Sequence, residues 1–126
     1  MRSWAVRLAG LVSVVILLLG VRAFLDPVAA SASFGLPMHT AAETAFVRVY
    51  GARNALLGSV ALVFAARGMV RPLVPLFVLA TCLPLLDAMV IVSRVGVGHE
   101  LARHAIILAV LAALSISLWR ASEARA

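Results

Sequence analysis

Seven side chains in this sequence have the types and spacing for chemistry. Asp87, His104 and Glu100 are candidate acid–base groups, and Arg53, Tyr50, Asn54 and Glu43 are candidates for holding or polarising a substrate. A neutral histidine close to a carboxylate exchanges protons near physiological pH, because its unperturbed pKa is about 6.5. An aspartate short of partners in apolar surroundings serves as a general acid. Three of the seven, with Arg48, fall in the stretch FVRVYGARNALLG, Phe46 to Gly58, inside an otherwise apolar run. A plainer reading stands beside the chemical one. An Arg53–Asp87 pair, a tyrosine and an asparagine also serve as glue between helices, each hydrogen bond contributing about 0.6 to 2 kcal/mol. Gly51, Ala55 and Gly58 follow the small-residue spacing that lets a neighbouring helix approach.

The elements that must position these groups follow from composition. Of 126 residues 64% are hydrophobic, and the mean hydropathy is +1.12, both far outside the range of soluble globular proteins. A bilayer core of about 30 Å needs about 20 apolar residues per helix, so four spans with short connections use nearly the whole chain. The expected fold is therefore an all-α integral membrane protein: a single domain over residues 1–126, a four-transmembrane-helix up-down bundle. Its spans are expected at about 4–24, 43–66, 73–92 and 101–119. The first span ends at Asp26-Pro27, and DPVAASASFGLPMHTAAE is too polar and interrupted to cross. Glu43, after Thr40, suits the first turn of the second span. RGMVRP makes a tight connection, Pro75 opens the third span, Pro84 is expected to kink it, and SRVGVGHE is the last loop. The basic, apolar N-terminus resembles a signal peptide, but Arg22 and Leu25-Asp26-Pro27 stand where a cleavage site would be needed, so an uncleaved span is expected.

The net charge of +6 comes from eleven arginines, no lysine and five acids. Most arginines flank apolar runs, where they set topology and meet anionic head groups, and no basic helix with interleaved aromatics points to nucleic acid. Arg2, Arg7, Arg67, Arg71, Arg120 and Arg125 collect on one side, against Arg22, Arg94 and Arg103 on the other, with Asp26, Glu43 and Glu100 nearby. The positive-inside rule then places both termini in the cytoplasm. The absence of lysine beside abundant Ala, Val, Leu and Gly suggests a GC-rich bacterial genome, and hence a multi-pass protein of the inner (plasma) membrane. Cys82, His39 and His99 read as a packing residue and two solvated loop residues, and no metal, haem or other cofactor is expected.

With this topology Arg48, Tyr50, Arg53 and Asn54 lie about 7 to 17 Å into the outer half of the membrane. Asp87, Glu100, Arg103 and His104 fall at similar depth. At 100° per residue Glu43, Val47, Tyr50 and Asn54 share a face that Arg53 flanks. Arg48 points away and is expected to reach the head groups. Arg53 cannot do so cheaply, since a mid-span arginine costs about 2.5 to 3.5 kcal/mol unless paired, and Asp87, or else Glu43 or Glu100, is the expected counter-ion.

Asp26-Pro27, Phe34-Gly35-Leu36-Pro37, VRVYGARNALLG, Pro84-Leu85-Leu86-Asp87, and Gly98-His99 with His104 come in an order that resembles a family of small four-span membrane proteins. The family is catalogued as domain of unknown function 4267, is found in bacteria and fungi, and is loosely similar to DoxX-like proteins. The YGxR(D/N)xxxG element carries most of the specificity, and Asn54 stands where the family often has Asp. The resemblance implies four helices with a polar cluster and no settled activity.

Two functions follow. One is a non-enzymatic component that binds membrane lipid, a lipophilic small molecule or a partner subunit, with a homo-oligomer compatible with the sequence. The other is an intramembrane isomerase, cyclase or hydratase. There Asp87 is the acid, His104 or Glu100 the base, and Arg53, Tyr50 and Asn54 hold an oxygen. A transporter lacks support, because no repeated broken-helix pattern is present.

Overall fold

The computed structural model describes residues 4–124, all of whose regular structure is helical. Five helices follow in order: α1 (Trp4–Leu25), α2 (Pro27–Phe34), α3 (Ala41–Ala66), α4 (Val70–Val95) and α5 (His99–Glu123). All but α2 are long and apolar enough to cross a membrane. At 1.5 Å per residue, a helix of 22 to 26 residues exceeds the hydrocarbon thickness. The protein is accordingly an all-α, multi-pass membrane protein. Arg2 and Arg125, used above in counting charge, lie outside the described residues.

The helix ends explain where the observed elements differ from those read off the sequence. Asp26 caps α2 with its Oδ1, which accepts from Ala29 N at 3.1 Å, and Pro27 takes the first helical position. Gly35, at φ 104°, closes α2 by sending its N–H to the Ala32 carbonyl, while Leu36 N–H reaches the Ser31 carbonyl. The segment read as too polar and interrupted to cross thus holds a capped helix of eight residues. Ser31 ties its exit down, donating to the Val28 carbonyl and accepting from Met38 N.

Thr40 and Glu43 close the start of α3 as a reciprocal pair. Glu43 Oε2 accepts from Thr40 N at 3.0 Å and from His39 N at 3.1 Å, and Thr40 Oγ1 accepts from Glu43 N at 3.3 Å. The third and fourth long helices overrun their expected limits. α4 starts at Val70, since Pro72 is tolerated in a first turn whose N–H groups lack intrahelical acceptors. The last loop shrinks to Gly96–Gly98, where Gly96 takes φ 81° and ψ −165°, a conformation open in practice only to glycine.

The described residues form two compact units, Leu11–Val63 on the one hand and residues 4–10 with 64–124 on the other. In the second, α4 and α5 pack against each other. Leu73, Phe77, Pro84 and Ile91 of α4 are buried, as are His104, Leu111, Leu114, Ser115 and Leu118 of α5, each set recurring at helical spacing. The hydroxyls of Thr81 and Ser115 meet at 3.2 Å between these helices, a polar link of the kind that holds helices together where lipid removes most of the hydrophobic drive.

In the unit Leu11–Val63, α1 and α3 approach through glycine. A Cβ placed on Gly51 would lie 2.6 Å from the Gly20 carbonyl oxygen and 2.7 Å from Phe24 N. One on Gly58 would lie 2.7 Å from Leu17 N, and one on Gly20 would run into the backbone of Ala55 and Gly51. Backbones this close leave no room for any side chain, and van der Waals contact along them is what draws such helices together.

Candidate functional site

Within FVRVYGARNALLG, Val47, Arg48, Tyr50, Gly51 and Gly58 meet α1 or α2 or lie buried, whereas Arg53 and the apolar side chains around it are exposed. Val47, Gly51 and Gly58 are buried, so the packed face of α3 is the glycine face. The face expected from Glu43, Val47, Tyr50 and Asn54 is met only in part: Val47 is buried and Asn54 half-buried, whereas Tyr50 is 44% exposed and Glu43 and Arg53 are exposed. The cause is steric. Gly51 and Gly58 allow α1 to come within backbone contact, and that gain outweighs turning a polar side chain inward.

Arg48 has a partner in α1. The exposed guanidinium donates to the Phe24 carbonyl oxygen at 3.1 Å. That carbonyl belongs to the last turn of α1, where acceptors lack intrahelical donors and a cation also meets the negative end of the helix. Arg22, in the same turn, donates to Ser33 Oγ of α2 at 3.3 Å. Tyr50 sets its ring edge-on to Phe34 of α2, with centroids 6.4 Å apart and planes at 65°, a favourable aromatic geometry. Glu43 is engaged at the helix start described above. Arg53 remains exposed and, among the described residues of its own unit, makes no hydrogen bond or ion pair.

On α4 and α5 the acid–base candidates take distinct positions. His104 is only 4% exposed, and the half-buried Asp87 lies within electrostatic range of it. The carboxylate and the imidazole thus stand on the packed helices α4 and α5 of one unit. Glu100 instead pairs with His99, Oε1 to Nε2 at 3.3 Å. His99, read as a loop residue, is the first residue of α5 and stays exposed. Among the described residues no three His, Cys, Asp or Glu side chains gather as metal ligands. Two open cavities of about 300 and 250 Å³ lie at the start of α4, along Gly68–Pro72 and Ser122 and along Arg71, Pro75 and Trp119. They include none of the seven candidates.

Four long apolar helices, with polar side chains spent largely on helix ends and helix contacts, define a small multi-pass membrane protein. The chain belongs to the family described as domain of unknown function (DUF4267), whose profile matches residues 13–118. No curated protein and no solved structure matches it significantly. The matched region runs from Ser13, in contact with Gly58, to Leu118 in the buried face of α5, so it includes the glycine contact, α2 and the Asp87–His104 pair.

Proposed function

We propose that this protein is a non-enzymatic component of a bacterial inner (plasma) membrane, with both termini cytoplasmic, that binds lipid or a lipophilic small molecule. The observation that carries this reading is the division of labour in α3. Glu43, Arg48 and Tyr50 make hydrogen bonds or a ring contact within the unit Leu11–Val63, whereas the exposed Arg53 makes none there. Side chains tied into helix packing are poorly placed to converge on a reacting atom, whereas an outward polar group in an apolar face suits binding. Purification in mild detergent followed by organic extraction tests this. A near-stoichiometric lipophilic compound is expected, and an amount no greater than that carried by an unrelated membrane protein prepared in parallel overturns the reading.

A second reading has its own support in the Asp87–His104 pair. A buried imidazole near a carboxylate is suited to proton transfer on a lipophilic substrate, as in an isomerase, cyclase or hydratase. Incubating membrane lipid extract with wild type, Asp87→Asn and His104→Asn, then comparing the extracts by mass spectrometry and chromatography, decides it. The enzyme reading expects species whose abundance or retention changes with wild type and with neither variant. Identical extracts from all three remove it.

A further inference from the structure

Arg53 sits midway along α3, a 26-residue helix. Around it Phe46, Val49, Leu56, Leu57 and Val60 are all exposed. Spaced three, four and seven residues from Arg53, they form one continuous stripe with the guanidinium at its centre. Apolar surface extends about 10 Å along the helix on either side of the charge. A cation flanked in this way is too far from either helix end to reach water as easily as a terminal arginine does. Its neighbour Arg48 has an acceptor in Phe24, whereas Arg53 has none within its unit.

We propose that this stripe is the seat of an amphiphilic anion: a ligand with a single phosphate or carboxylate group, which pairs with Arg53, and an apolar tail, which lies along Phe46 and Val49 or along Leu56 and Val60. The inference rests on the lipid-binding reading above and names the ligand's chemistry and its seat. Charge and shape select this occupant. A second copy meeting the stripe about a two-fold axis would bring two Arg53 guanidiniums face to face, and like charges repel strongly where water is scarce. A neutral lipid covers the stripe but leaves the charge uncompensated. An anionic amphiphile does both, and a planar guanidinium takes two oxygens of phosphate or carboxylate at once.

The test uses the whole protein in zwitterionic nanodiscs, with dioleoyl phosphatidylglycerol and oleate as probes and phosphatidylcholine as the neutral reference. Native mass spectrometry reads what each chain retains. Wild type is expected to favour an anionic probe over the reference by about fivefold, the contribution of one basic group. Arg53→Gln is expected to abolish that preference, and Arg53→Lys to keep most of it with unchanged helix content. Retention of phosphatidylglycerol alone assigns the anion to a head-group phosphate, retention of oleate alone to a free carboxylate, and either supports the proposal. A preference that survives Arg53→Gln overturns the Arg53 seat while leaving lipid binding in place. Failure of wild type to retain any amphiphile overturns both.

Discussion

Gly51→Ala is expected to destabilise the protein by about 1 to 3 kcal/mol, the usual cost of forcing a methyl group into a packed contact, and Gly51→Leu is expected to separate α1 from α3. The alanine Cβ would meet the Gly20 carbonyl at 2.6 Å and Phe24 N at 2.7 Å. Both are backbone atoms, which cannot rotate aside as the tip of a side chain does. Gly20→Ala should behave alike, because its Cβ runs into Ala55 and Gly51. Gly10→Ala provides the control. Its Cβ would find only the Ala65 methyl at 3.6 Å, ordinary contact, and in a helix alanine is favoured over glycine by about 0.5 to 1 kcal/mol. Unfolding in mixed micelles reads all three. Equal losses at Gly10 and Gly51 would show that helix propensity or insertion, and not the close approach, sets the stability.

The second large effect separates two arginines five residues apart. Arg48→Leu removes the donor to the Phe24 carbonyl and the cation at the end of α1, a loss of about 1 to 2 kcal/mol. Arg53→Leu removes no bond within its unit and takes a charge out of an apolar stripe, so it is expected to leave stability unchanged or to raise it. If instead Arg53→Leu destabilised as much as Arg48→Leu, the outward placement of Arg53 would be untenable, and with it the amphiphile seat. The pairing carries a functional consequence. Arg48 belongs to the architecture, so loss of binding in an Arg48 variant follows from loss of structure, whereas loss of binding in an Arg53 variant does not.

Much was legible in single residues and short spacings. The T-x-x-E run at Thr40–Glu43 announces a helix start, and the observed hydrogen bonds are those that the spacing implies. Asp26-Pro27 and Gly35 bracket a short helix with equal clarity. Reading that segment only for its ability to span hid α2, because eight residues of small side chains give no apolar period. Gly51, Ala55 and Gly58 were recognisable as a helix-packing series, but the partner's identity was not: nothing local in α1 distinguishes Gly20 and Leu17 as the surface they meet.

By itself the sequence determined that this is a four-span helical membrane protein, where its four long helices begin and end to within a few residues, and which residues are small enough for close packing. These are local properties, set by hydropathy, capping and backbone conformation within a turn or two. Only the tertiary structure decided how α3 is rotated, that Arg48 serves the end of α1, that Tyr50 leans on Phe34, and that Asp87 has His104 as its neighbour. The physical reason is that polar side chains on an apolar helix do not determine which face is buried. In lipid the burial of an apolar group gains little, so the rotation is settled by where two backbones approach most closely, and that depends on both helices at once.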